Sequence, residues 1–536
     1  MYRDDSLTPK FPEFGLPFGG YLDPNNRWVK KAVMIPWKVV GTEYKNQLSG
    51  STNGSPAITG RMAFGALVIK EELNLSDRET VEQIRENPYL QFFVGLEGFQ
   101  TDEPFDASMM VHFRKRFPVD SMNRINEAMV LASKPSKTEA LPDQGAPSPK
   151  DSPPSLKEST PGENGAEATE QENQGKLLVD ATCTPADIRY PTDLSLLNEA
   201  REKTEKIIDR LHKEHPTGSK KPRTYRQKAR KEYLAVAKKK RKSAKVIRKA
   251  IRKQLGYVRR NLAHIQTLSQ TVSLSVLKRN LYRALLVINE LYRQQKIMYD
   301  LKQKRIDDRI VSIWFPHVRP IKRGKANADT EFGAKLHLSL VNGFAFAERI
   351  EWNNFNEGTG LIQAIQNYRR RFGFFPKSVH ADKIYRNRKN MDYCKAHGIR
   401  LSGPRLGRPP KDESFRREQK QLARQDEIDR IAIEGKFGQG KRRFGLARIM
   451  AKLDETSLTV IVMNLLVMNL EKISKLGCLN RFFLFIDLWI VRINEVFQAV
   501  VRAKLRGGSN VFRYRGSFGW ISERWASRVA VESGSL

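Results

Sequence analysis

Three acidic residues stand in surroundings that could do chemistry. Asp180 closes the apolar run "GKLLVD", Asp382 follows "KSVHA", and Glu434 sits among basic residues in the helical pattern "RIAIEGKFGQGKRR". A carboxylate at the tip of a buried strand is costly to desolvate unless a cation meets it. Three such groups brought together would form a hard-oxygen site suited to Mg²⁺, with Mn²⁺ as the alternative ion. Two metals held about 3.5–4 Å apart can clamp the attacking and leaving oxygens of a phosphodiester. His380 and Cys183 lie close in sequence, but imidazole and thiolate are softer donors than Mg²⁺ prefers, so both read as core or supporting residues. Asp187 and Asp193 fall in a Pro-bounded loop and are not chosen.

Each acid also has a plain structural reading. Asp180 could cap the turn before Pro185, Asp382 could pair with Lys383 or Arg386, and Glu434 could be one more exposed helix charge. The bulk composition bears on the choice. The 536 residues include 95 Lys and Arg against 59 Asp and Glu, a formal net charge of +36. An imbalance of that size predicts salt-dependent attraction to a polyanion, nucleic acid first among them. The three cysteines (Cys183, Cys394 and Cys478) are widely spaced and form no CxxC pair, which argues against zinc ribbons and disulfide scaffolds and suits a reducing cytoplasm. "MYRDDSLTPK" lacks the apolar core of a signal peptide. The longest apolar run, Leu458 to Leu470, is short for a membrane span and reads as a buried element, and "RFFLFIDLWIVRINEVF" as a core helix. No membrane partner is expected.

Several elements must position the acids. Residues 1–55 are rich in Gly, Pro and Asn and read as irregular. Residues 56–131 read as an all-α, helix-turn-helix-like DNA-binding domain. Ser76 and Glu79 form a capping box there, Asp106 begins a further helix, and Arg114, Lys115 and Arg116 end it. Ordinary helical bundles give the same pattern. Residues 132–176 are Pro, Ser, Glu and Gly with almost nothing apolar, the composition of a disordered linker. A strand ending at Asp180 precedes a basic helical stretch over 194–306. Lys238, Lys239, Lys240 and Arg241 are its densest charge, placed to clamp a phosphate backbone. From 310 onward strands and helices alternate: "RIVSIWFPHVRPI", a hairpin turning at Asn342-Gly343, an amphipathic helix, "PKSVHAD", a helix ended by Gly398, and "IRLSG". The expected fold is an α/β mixed-sheet core with a large helical insertion after its first strand. "LGRPPK" (Leu406 to Lys411) is either a Pro-rich loop or an arm for the minor groove; Trp352 and Tyr385 are left unassigned.

Taken together, "LVDATCTPADIRYPTDLSLLNEAREK", "HADKIYRNRKN", "GIRLSGPRLGRPPKD" and "IEGKFGQGKRRFGL" resemble the IS5-type DDE transposases of bacterial insertion sequences. "SDRETVEQIRENPYLQFF" and "FDASMMVHFRKRF" resemble that family's N-terminal domain. The resemblance covers roughly residues 40–131 and 177–470. It implies an RNase H-like catalytic domain over 177–470 and a triad of Asp180, Asp382 (after the fourth strand) and Glu434, serving as both catalytic residues and metal ligands. Asp180 would be the bridging ligand. Related transposases carry a Tyr, Arg and Lys signature on the Glu helix. Arg430 and Lys441 fit it as phosphate-binding cations, while the Tyr position falls on Glu427. The implied partner is double-stranded DNA, as terminal inverted repeats and as target, with a homo-oligomer when two ends are paired. The implied location is the bacterial cytoplasm, at the nucleoid. A catalytically inert DNA-binding descendant is the alternative, and a host nuclease of the RNase H type a third. Residues 471–536 match nothing in the family pattern.

Overall fold

In the computed structural model, residues 15–16, 20–48, 56–133, 172–215, 220–325, 328–403 and 413–477 are described. The linker reading for 134–171, the Leu406–Lys411 loop, the "RFFLFIDLWIVRINEVF" helix and nearly all of the 471–536 tail lie outside those residues.

Six strands make one mixed sheet. They are β1 (Lys176–Pro185), β2 (Arg319–Lys325), β3 (Ala328–Val341), β4 (Phe344–Glu351), β5 (Ser378–Ala381) and β6 (Arg400–Leu401), in the order β2-β3-β1-β5-β6 with β4 also paired to β3. β1 runs antiparallel to β3 and parallel to β5, and β5 runs parallel to β6. Leu177, Leu178 and Val179 are all buried, so β1 is covered on both faces, as a continuous apolar run predicts. The β3–β4 hairpin turns through Asn342 (φ 49°) and Gly343 (φ 76°), a two-residue turn that needs left-handed backbone at both positions. Gly333 is required for a different reason. A Cβ there would lie 2.1 Å from the Thr184 carbonyl oxygen where β3 crosses the end of β1.

Three expectations about these elements are corrected. β1 does not stop at Asp180: it continues to Pro185, because Ala181, Thr182, Cys183 and Thr184 extend the buried run past the half-buried Asp180. The stretch 309–318 is not strand, and only Arg319–Lys325 pairs with β3. Residues 1–55 are not irregular throughout, since helices α1 (Arg27–Met34) and α2 (Trp37–Lys45) form within them. Asn26 caps α1 by accepting from the Trp28 N–H, and Trp28, Val29 and Ala32 bury one face. The turn-forming Asn and Pro residues flank these short helices and hid them in the composition.

The helical block continues with α3 (Gly60–Leu73), α4 (Asp77–Glu86), α5 (Pro88–Val94), α6 (Met109–Arg116) and α7 (Val119–Ala132). The Ser76–Glu79 capping box at α4 is formed in both directions. This block shares one hydrophobic core with the sheet, from Leu22 through Val179 and Leu336 to Ile473. Polar links reinforce the junction. Asn126 on α7 donates to the Ala345 carbonyl of β4 at 3.1 Å. Asn469 donates to Asn126 at 2.9 Å and accepts from the Ala345 N–H at 2.9 Å. Glu127 takes both Arg370 and Arg371, each at 2.7 Å, from helix α12 (Leu361–Phe372). Arg371 also reaches Glu348 on β4 at 2.5 Å, with both side chains almost fully buried.

After β1 the chain leaves the sheet for α8 (Asp193–Lys213), α9 (Arg226–Ala237), α10 (Ala244–Leu268) and α11 (Arg279–Asp300). Leu197, Val258, Ile288 and Leu291 form one small core in this insertion, and Ile208, Leu211, Ile265 and Leu285 another. The basic stretch is broken: residues 238–243 are an exposed connection between α9 and α10. Consecutive cations repel one another on a helix and lose less as a solvated loop. The chain then returns through α13 (Arg388–Ala396), α14 (Glu413–Arg443) and α15 (Asp454–Gly477). By length and apolarity α15 could cross a membrane, but 83% of its apolar window is packed inside the protein, the mark of a core helix.

Arg371 is the charge this core can least afford to lose, since its removal strands Glu348 without a buried counter-charge. Arg371→Met is expected to lower unfolding stability by about 3 kcal/mol in a urea titration. The half-exposed Arg85 pairs, among the described residues, with Glu82 on its own helix alone, and Arg85→Met is expected to change stability by less than about 0.5 kcal/mol. Equal effects would contradict this ranking.

Candidate active site

The sheet register brings the first two acids together. Val179 on β1 pairs in parallel with Ala381 on β5, so Asp180 and Asp382 are the next residues on neighbouring strands. Backbones at that separation are roughly 5 Å apart. Asp382 is the first residue beyond its strand, the fifth in the chain rather than the fourth because β2 precedes the β3–β4 hairpin. It caps a 3-10 turn over Lys383–Tyr385 and accepts from the Lys383 N–H at 2.9 Å.

The third acid arrives on α14, which is fixed to the sheet by charge. Arg400 on β6 makes a bidentate pair with Asp426, both contacts at 2.8 Å. Lys176 at the start of β1 holds Asp429 at 2.6 Å. Ile433 and Phe437 bury the same helix face one and two turns on. Residues 426, 429, 430, 433, 434 and 437 recur at helical spacing, so a single stripe carries both the anchors and Glu434. His380, which tempted as a ligand, is buried beneath this contact, with Nε2 3.0 Å from Ser378 Oγ and Nδ1 3.4 Å from Asp426. Cys183 is wholly buried in the sheet. Asp187 pairs with Arg448 and Asp193 with Arg309, which accounts for both outside the site.

Arg430 occupies the middle of the acidic group. It pairs with Asp382 at 2.7 Å and with Glu434 at 3.4 Å. Asp180 adds a further attraction that, with the other two acids, holds the guanidinium charge. Burial opposes ionisation of Asp382, but the Lys383 N–H and Arg430 outweigh it and hold the carboxyl below the usual range. Asp180 behaves oppositely. Burial, helped by Glu357 and Asp382, pushes it up to about 6 against the opposing pull of the Ala181 N–H and Arg430. Among the described residues, no three His, Cys, Asp or Glu side chains are close enough to hold one metal ion. The donor set nonetheless fits a hard divalent cation. All three donors are carboxylates, and among the described residues the half-buried Asp180 has no ion-pair partner within 4 Å to offset its desolvation. Asp180, Asp382 and Glu434 are the residues that would hold it.

Two further residues lie at this centre, Glu357, which the sequence did not single out, and Tyr385, which it left unassigned. Glu357 opens the 3-10 turn before α12 and pairs with Lys335 at 2.9 Å. Tyr385 is fully buried, its hydroxyl has no hydrogen-bond partner, and its ring stacks on His337 at 5.7 Å. No motif announced either; only the pairing of the strands brings them near. Trp352 is placed elsewhere, donating its indole N–H to Asp454 at 2.5 Å.

The expected phosphate contacts divide into four groups. Arg430 lies at the acids. Lys441 lies seven residues after Glu434, two turns or roughly 10 Å along the same helix, and lines a separate cleft. Lys238, Lys239, Lys240 and Arg241 are solvent-exposed in their loop. Arg114 and Arg116 are corrected. Arg114 is buried in a bidentate pair with Asp77, and Arg116 donates to the Tyr44 hydroxyl at 2.5 Å while lying over its ring. Guanidinium groups committed to internal partners hold the fold together rather than presenting to a phosphate.

Residues 379–471 match the family described as the transposase DDE domain, a span that includes Asp382 and Glu434. Residues 17–116, covering α1 to α6, match a second family described as a transposase domain. An uncharacterized protein of Rhizobium meliloti, designated ORF8 in the nfe locus, is 30% identical over 181 residues, 33% of this chain and 71% of that protein. No solved structure matches the chain.

The raised Asp180 carboxyl makes a pH prediction. Below about pH 4 the group is protonated folded or unfolded and costs nothing. As pH rises through about 6 the folded chain must hold an ionised group where burial disfavours it, so that stability is lost. Asp180→Asn is therefore expected to raise stability at pH 8 in EDTA by about 1–2 kcal/mol, discounted for partial exposure, and to have little effect at pH 4. Destabilisation at pH 8 would contradict the assignment.

Proposed function

The chain belongs to the DDE transposases of IS4/IS5-type insertion sequences, and on that premise we propose that it binds the terminal inverted repeats of its element, cuts them by Mg²⁺-dependent hydrolysis and joins the 3′ ends to target DNA. The observation that carries this reading is the convergence of Asp180, Asp382 and Glu434 on Arg430. The strand order, with β4, β3 and β1 antiparallel and β5 and β6 parallel to β1, supports an RNase H-like core over 177–470. The DDE domains of this family use divalent metal ions. Held by these carboxylates, Mg²⁺ or Mn²⁺ would supply activation of the attacking oxygen and charge stabilisation at the leaving 3′-oxygen.

The chain's own groups have separate tasks. Asp180 is fixed by strand pairing and stays deprotonated once a cation offsets its burial. Asp382 is oriented by the Lys383 N–H, and Glu434 by the anchored face of α14. Arg430 neutralises Asp382 and Glu434 while they await substrate, and when released offers a planar fork to a phosphate. The 56–131 helices would contact the repeats, the exposed Lys238–Arg241 loop would clamp backbone, and residues 132–176 would link the two. No role is assigned to 471–536. A homo-oligomer would pair the two ends, in the cytoplasm at the nucleoid.

One observation favours the competing reading of an inert DNA-binding descendant: Arg430 stands among acids that are not within common reach of a single ion. An excision assay separates the two. Purified protein is given Mg²⁺ and a plasmid carrying the DNA that flanks its gene. The active reading predicts cleavage that falls at least about 10²-fold in Asp180→Ala, Asp382→Ala and Glu434→Ala, each retaining DNA binding. Binding without cleavage by the unmodified chain would establish the inert reading instead.

A further inference from the structure

A cleft of about 720 Å³ opens where the last turn of α14 meets the α3–α4 turn and α15. Seven of its lining residues are cationic and two are acidic. Several of these charges are already matched: Arg443 by Glu471, Arg448 by Asp187, and Arg114 by Asp77. Arg78 and Arg442 are exposed and make no ion pair within 4 Å among the described residues. They come from opposite sides of the cleft, one from the N-terminal helical block and one from the Glu434 helix.

The floor carries a second, independent signal. Asn464 on α15 is 1% exposed, yet among the described residues neither its Oδ1 nor its Nδ2 has a hydrogen-bond partner. A buried amide left unpaired costs about 1–3 kcal/mol, so its retention needs a reason. It faces Gly445, whose backbone is left-handed (φ 71°) and where a Cβ would come within 3.4 Å of Nδ2. The glycine leaves the space between the amide and the cleft open.

We infer that this cleft binds a phosphodiester segment of the DNA strand leaving the acidic centre, with Arg78 and Arg442 as its charged walls and Asn464 as a neutral donor at its floor. The inference rests on the DNA-acting reading above. Lys441 lines the same cleft two helical turns from Glu434, on nearly the same helix face. At a rise of roughly 3.4 Å per nucleotide, a strand following α14 reaches it about three nucleotides from the bond being cut. Since Arg78 belongs to the N-terminal block and Arg442 to α14, a bound strand would join the two regions through one backbone.

The test uses the full chain and a fluorescent duplex of 30 base pairs, with binding read by anisotropy over a range of NaCl concentrations. Arg78→Gln with Arg442→Gln is expected to reduce the salt slope by about 2 and weaken binding about tenfold or more at moderate salt. Both residues are exposed, so the fold is undisturbed. Asn464→Leu gives a separate signature: higher thermal stability, because an unpaired amide is removed, together with weaker duplex binding. An unchanged slope in the double variant, or Asn464→Leu that stabilises without weakening binding, overturns the cleft and leaves the DNA-acting reading intact. Loss of thermal stabilisation by inorganic phosphate in the double variant, with duplex binding unaltered, assigns the cleft to a small anion and also overturns the inference. Failure of the unmodified chain to bind any duplex removes both readings.

Discussion

The 31-residue helix that bears Glu434 has no covalent reason to lie beside Asp180 and Asp382, which belong to β1 and the end of β5 earlier in the chain. What holds α14 there is a row of ion pairs at helical spacing, Arg400 with Asp426, Lys176 with Asp429 and Asp382 with Arg430, above the buried Ile433 and Phe437. Each surface pair alone is worth little. Asp426 is different, because it is almost fully buried and meets its arginine in bidentate geometry. With this seam in place, Glu434 has one orientation relative to β1 and β5. Without it, the acids would be three unrelated charges.

The same seam sets the charge balance of the acidic centre. Asp180 is raised because burial disfavours its charge and two more carboxylates lie near. Arg430, with the Lys383 N–H, holds the Asp382 carboxyl below the usual range. The Asp382–Arg430 pair thus serves twice, as part of the seam that holds α14 and as the positive charge beside the acids. The N-terminal helices are fastened to the sheet by the shared core and by Glu127 with Arg370 and Arg371.

How far the sequence reveals this depends on the range of the interactions. Local signals were legible: the Ser76–Glu79 box, the Asn342-Gly343 turn, the Gly398 helix end and the buried Leu458–Leu470 run all depend on neighbours within a few residues. The alternation of strands and helices after 310 was legible in outline. Strand register was not, and it places Asp180 inside β1 rather than at its end. The arginines of α6 misled for a related reason. A basic helix terminus looks the same whether its charges face solvent or an unseen partner, and Asp77 and Tyr44 became partners only on folding. Glu357, Tyr385 and Asn464 left no sequence signal, because their meaning lies in what surrounds them.

The most direct measurement is anomalous diffraction from crystals of the full chain grown with Mn²⁺. The account predicts Mn²⁺ coordinated by Asp180, with Asp382 and Glu434 completing the sites at roughly 2.1 Å and the Arg430 guanidinium moved off both acids. Crystals in which Mn²⁺ binds elsewhere, and Arg430 still bridges Asp382 and Glu434, would contradict it.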